Sequence, residues 1–224
     1  WKASDIVSTA MGGLSYITGS MDRPPVRVSI DQAYVLAGAH AALGAMIAHF
    51  YRQVTGIGQH VDVSIQECSV PSALTIPQTW DLQKIIWPRA GAFLPRSGKK
   101  VRCFWPCKNG YITWRLFGGG LGVKTRALVD WMKSEGEAGE LDDVNWQQMD
   151  YLTADPIQFD RWQNLFANFF EKRTKEELCK QALARGIVLF AASTPKDLLT
   201  DPQLQDRDYW IEVEHPELRD TIIY

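Results

Sequence analysis

The stretch Arg52-Gln53-Val54-Thr55-Gly56-Ile57-Gly58-Gln59-His60-Val61-Asp62-Val63-Ser64-Ile65-Gln66 decides how this chain is read. Upstream of it Val35, Ala39, Ala42, Leu43, Met46, Ile47 and Phe50 recur at helical spacing. Gly56 and Gly58 break that period, and Val61, Val63 and Ile65 then alternate with polar residues. The pattern predicts a helix over residues 31–52, a tight turn and a strand over 60–66, which is one helix-strand unit of a layered α/β sheet. A further helix follows, interrupted near Pro71 and Pro77. Ser29 and Gln32 have the spacing of a capping box, and Asp31 in the first turn suits the positive end of the helix.

Ala33 to Tyr51 is nearly free of charge and almost long enough to span a bilayer. It also carries His40 and His49 and is mostly Ala and Gly, so it reads as a buried helix of a soluble protein. Its small face, Ala37, Ala41, Gly44, Ala45 and Ala48, admits a close neighbour. A chain of 224 residues with 46% hydrophobic content can bury a core, and 22% charged residues with a net charge of -2 are ordinary for a soluble protein. Lys and Arg are scattered, apart from a short cluster between Arg96 and Arg102, so no nucleic-acid partner is expected.

The four cysteines, Cys68, Cys103, Cys107 and Cys179, are too few and too dispersed for a disulfide framework. Cys103 and Cys107 are not followed nearby by a second Cys or His pair, so no metal site is expected. No basic segment leading into an apolar one marks a signal peptide, and the expected setting is the reducing cytoplasm.

Residues 78–100, with Trp80, Trp87, Pro88, Gly91, Pro95, Ser97 and Gly98, lack periodicity and read as a linker. Val101 to Trp105 and Tyr111 to Leu116 flank Asn109-Gly110 as a predicted hairpin, followed by Gly118-Gly119-Gly120-Leu121-Gly122 and a helix through Trp131. Asp155-Pro156 and Thr174 open further helices, Gly186 closes one, and Ile187 to Ala191 is a short strand. Thr194-Pro195 and Asp201-Pro202 open two short last helices. Trp105, Trp114, Trp131, Trp146 and Trp162 are most simply explained by burial in a small core.

Three segments together, Met11 to Gly19, Asp22 to Val28 and the turn at Thr55 to Gln59, closely resemble the class III CoA-transferases of the CaiB/BaiF type. That group holds formyl-CoA and carnitine-CoA transferases and α-methylacyl-CoA racemase. The resemblance implies an α/β fold made of a partial Rossmann-like large domain and a small α+β domain. Residues 1–78 would be the second half of the large domain, 79–100 a linker, 101–193 the small domain and 194–224 a helical return linker. It further implies that the family's N-terminal half, which supplies most of the CoA pocket, lies outside this sequence, and that CoA is a substrate rather than a covalently held cofactor.

Enzymes of this family attack the thioester with an aspartate near the start of the helix before the T-G-x-G-Q turn, forming a mixed anhydride. Aligned on Gly38 and Gly44, that position is Tyr34. A phenol, with an ordinary pKa of about 10, cannot replace a carboxylate in this chemistry. Asp31, three residues earlier, is a possible substitute on the same helix face, although the helix dipole explains it more simply. His40, His49 and His60 could serve as bases, but packing is the simpler reading.

Gly118, Gly119, Gly120 and Gly122 resemble the mobile glycine loop over the active site of the formyl-CoA branch; a plain connection between elements is the alternative. The implied function is CoA transfer between carboxylic acids from acyl-CoA. The alternative is a non-catalytic partner or scaffold subunit, and a racemase ranks lower. Interlocked dimers in the family imply a homodimer or larger assembly, with no membrane partner.

Overall fold

The computed structural model describes residues 3–70, 76–217 and, for the backbone, 220–223; the predicted interruption at Pro71 lies outside them. The chain divides into two compact units, residues 1–101 and 102–224.

The first unit is built on α3 (Gln32–Thr55), with α1 (Asp5–Met11), α2 (Leu14–Ile17), α4 (Ile65–Ser69) and α5 (Ile76–Gln83). Gly56 ends α3 in the left-handed conformation at φ 75°, and its N–H donates to the Arg52 carbonyl at 2.8 Å. The start of α3 differs from the expected capping box. Asp31 is the N-cap and its side chain makes no cap bond, because its carboxylate pairs instead with Arg27 at 2.8 Å. The cap comes from α1: the Tyr34 N–H donates to Asp5 Oδ1 at 3.2 Å.

Residues 60–64 form no strand; Ser64 is extended and α4 begins at Ile65, where Ser64 Oγ accepts from the Glu67 N–H at 3.2 Å. The alternating pattern specifies extended backbone, whereas a strand also needs a neighbouring strand. None of the described residues of this unit pairs with it. Val61 lies against α3 instead, where a Cβ on Gly44 would come within 2.8 Å of Val61 Cγ1.

The expected burial of α3 is also not met. Ala33 and Ala37 are buried, but Val35, Leu43, Met46, Ile47, Phe50 and Val54 are all more than half exposed. By length and composition alone, this helix is long and apolar enough to cross a membrane.

The stretch expected to be a structureless linker contains α5 and a hairpin of β1 (Phe93–Arg96) and β2 (Lys99–Arg102). Ser97 and Gly98 both have positive φ, 49° and 76°, as a two-residue primed turn requires.

In the second unit β3 (Phe104–Cys107), β4 (Gly110–Thr113) and β5 (Phe190–Ala191) form an antiparallel sheet in that order. Cys107 faces Gly110, so the turn is Lys108-Asn109, one residue earlier than expected. The helices α7 (Pro156–Glu171) and α8 (Lys175–Ala184) pack against the sheet, and α6 (Gly122–Ser134) meets α7 where Trp131 lies edge-on to Phe169 at 4.9 Å. Asp155 and Thr174 cap α7 and α8 through the amides of Gln158 and Glu177.

Trp105, Trp114, Trp131, Trp146, Phe159, Phe166, Phe169 and Phe170 are buried, with Trp105 edge-on to Phe170 at 5.4 Å. Burial therefore accounts for these tryptophans; Trp162 is partly exposed. The chain continues through α9 (Pro195–Leu199) and α10 (Pro202–Asp206). It then forms a hairpin of β6 (Glu212–His215) and β7 (Asp220–Ile223), where only a helical return was expected.

Candidate functional site

Tyr34 is the third residue of α3, with its side chain 45% exposed. Asp31 sits just before the helix, also exposed, and its partner is Arg27. An ion pair so open to water stabilises little. The helix start therefore presents a phenol at the position where the resemblance implies a nucleophilic carboxylate.

Asp5 went unrecognised in the sequence. It is 6% exposed, and Asp5, Ser8 and Thr9 make one buried polar face of α1 at helical spacing. Its carboxylate both satisfies an amide at the α3 start and complements the positive helix end. The signal was available: three polar residues at i, i+3 and i+4 mark a face that meets backbone.

Arg89 was likewise missed. Its Nη1 donates to the Tyr16 carbonyl at 3.1 Å and its Nε to the Ser20 carbonyl at 3.3 Å, while the guanidinium lies 5.4 Å from the Tyr16 ring centroid. With the Gly91 N–H donating to Gly19 O at 2.9 Å, these contacts hold the Tyr16 to Ser20 turn in shape.

His40, His49 and His60 are exposed, and among the described residues no three His, Cys, Asp or Glu side chains gather to hold a metal.

The glycines lie on the second unit. A Cβ on Gly118 would meet the Met149 carbonyl oxygen at 2.3 Å, and one on Gly122 would meet that of Trp146 at 2.1 Å. Those two are glycine because backbone passes against them. Gly119 has φ +60° and donates its N–H to Met149 O at 3.0 Å; Gly120 faces open space. The segment forms a short 3-10 turn, Gly119–Leu121, leading directly into α6.

A groove of about 580 Å³ in the second unit is lined by Lys175, Cys179, Leu189 and Asp197 among others. Lys175 Nζ pairs with Asp197 Oδ2 at 2.6 Å. That bond, with the Thr194 amide, holds the Asp197 carboxyl down at about 2 and raises the Lys175 ammonium. Asn109 bridges the hairpin turn to α8, accepting from the Lys175 N–H and donating to Glu176. Burial pushes the Cys179 thiol up, away from the thiolate a nucleophile needs. The cluster is a structural clasp.

The chain belongs to CoA-transferase family III, whose sequence profile matches residues 1–223. It is 31% identical over 212 residues to the succinyl-CoA:(R)-benzylsuccinate CoA-transferase subunit BbsE of Thauera aromatica, covering 94% of this chain and 50% of that protein. It is 28% identical to the succinyl-CoA–D-citramalate CoA-transferase of Chloroflexus aurantiacus, covering 95% of this chain and 50% of that one. The chain thus spans about half the length of these curated relatives. The fold is shared with a CAIB/BAIF family protein from Brucella suis, at a TM-score of 0.73 and 19% identity over 93% of this chain and 52% of the other.

Proposed function

We propose that this chain acts in CoA transfer between carboxylic acids, as the member of an assembly that does not carry the attacking carboxylate. Family membership supports the reaction class. The single observation that carries the finer reading is Tyr34, an exposed phenol at the third position of α3 where the family resemblance implies aspartate. Asp31 is one turn away but engaged with Arg27. A phenyl ester formed on Tyr34 would be a far poorer acyl carrier than a mixed anhydride.

In this reading acyl-CoA and the acceptor acid meet on an assembly of two or more chains. The relative from Thauera aromatica is itself described as a subunit. The test is CoA-ester exchange, followed by chromatography in the native assembly, for the unmutated protein and for Tyr34→Phe. A phenol outside the chemistry leaves the rate within about threefold. A loss of about 100-fold or more, the scale of a removed acid or base, would make Tyr34 a catalytic residue.

A further inference from the structure

In the second unit the segment after β4 keeps strand-like alternation: Ile112, Trp114 and Leu116 are buried, while Thr113, Arg115 and Phe117 point the other way. The segment leading into β5 does the same, with Ile187 and Leu189 buried and Val188 and Phe190 exposed. Thr113 pairs with Phe190 across the ladder, so the two outward rows lie side by side. Between them is a small cavity of about 180 Å³, lined by Cys103, Thr113, Trp114, Arg115, Phe117, Val188 and Phe190.

Two features of this cavity call for a ligand. Arg115 is half-buried, with its guanidinium stacked 4.8 Å from the Phe117 ring centroid, and among the described residues it has no ion pair or hydrogen bond. No Asp or Glu lines the cavity. A guanidinium offers five N–H donors and no acceptor, and beside an apolar wall an anion is its natural partner. The remaining wall, Phe117, Val188 and Phe190, is apolar and aromatic. The volume is that of one aromatic ring, since a cavity of about 150 Å³ is known to hold benzene.

We propose that this cavity binds a carboxylic acid with an aryl-sized apolar body, its carboxylate on Arg115 and its ring against Phe117 and Phe190. For its role as a substrate subsite the proposal rests on the CoA-transfer reading; the binding does not.

Calorimetry on the native protein without CoA tests it, with 3-phenylpropionate, 3-phenylpropionamide and acetate as probes. The acid should bind with a dissociation constant below about 1 mM, and the amide and acetate at least about tenfold more weakly. Arg115→Gln should abolish the preference for acid over amide, while Arg115→Lys, which keeps the charge, should retain it in part. Val188→Trp fills the cavity from an exposed position without touching the charge, and should block binding in a protein that melts normally. No saturable binding of the acid, equal binding of the amide, or unchanged binding by Arg115→Gln would overturn the site. Arg115-dependent binding without CoA-ester exchange would keep the site and remove the CoA-transfer reading; exchange without such binding would do the reverse.

Discussion

The Asp5 carboxylate accepts the Tyr34 amide at 3.2 Å, so the first helix of the chain caps the third across 29 residues of sequence. Asp5→Ala should therefore destabilise the first unit by about 1–2 kcal/mol, as loss of a cap does. Ser29→Ala, at the capping-box position that makes no cap bond, should stay within about 0.5 kcal/mol of the unmutated protein. Urea denaturation of the two variants separates them. Equal losses would return the cap to Ser29.

Packing sorts the four glycines. Gly118→Ala and Gly122→Ala would drive a methyl into the carbonyl oxygens of Met149 and Trp146, at 2.3 and 2.1 Å. Each should cost about 1–3 kcal/mol or more, because what must shift is backbone. Gly120→Ala meets nothing within 4 Å and should be tolerated. Unfolding followed by tryptophan fluorescence reads this directly, since Trp105, Trp114, Trp131 and Trp146 sit in the core of the second unit. A Gly122→Ala protein as stable as the unmutated one would contradict the geometry.

Acid should loosen the clasp between Lys175 and Asp197. The folded-state pKa of Asp197 is depressed to about 2 from an ordinary 3.8. Its contribution to stability is therefore fully present above about pH 4 and lost as pH falls through 2. Asp197→Asn keeps a capping side chain but cannot titrate, so its stability should change less between pH 4 and pH 2. Parallel acid limbs in the two proteins would remove the clasp from the pH dependence.

The exposed row on α3, Leu43, Met46, Ile47, Phe50 and Val54, is too large an apolar face to stay in water unpartnered. The 224-residue chain produced alone should sediment as dimers or larger species at micromolar concentration. A clean monomer there would contradict that expectation.

Local signals carried well where a residue's neighbours in sequence are also its physical partners. Gly56 as the α3 C-cap, Asp155 and Thr174 as N-caps and the hairpin, its turn one residue earlier than the expected Asn109-Gly110, all depend on bonds within a few residues. The readings that failed depend on distant groups. Residues 60–64 have a strand's alternation, but whether they join a ladder depends on strands elsewhere. Asp31 looked like the helix-dipole partner, yet Asp5 takes that work because tertiary packing places α1 beside α3. Gly118 and Gly122 looked alike with Gly119 and Gly120 as a flexible run; only the path of the Trp146 to Met149 backbone distinguishes them. The place of Tyr34 in the helix start was legible from its spacing to Gly38 and Gly44. Arg115 was not, since an unpaired guanidinium can be recognised only once its surroundings are known.

The claim that this chain takes part in CoA transfer without supplying the nucleophile has one direct test. The native assembly is incubated with acyl-CoA, quenched with hydroxylamine and mapped by peptide mass, because an acyl anhydride opened at the protein carbonyl leaves a hydroxamate on the attacking carboxylate. The expected result is no hydroxamate on Asp31 or on any other carboxylate of this chain, with the modified aspartate on a partner chain. A hydroxamate on Asp31 would make Asp31 the nucleophile and contradict the account.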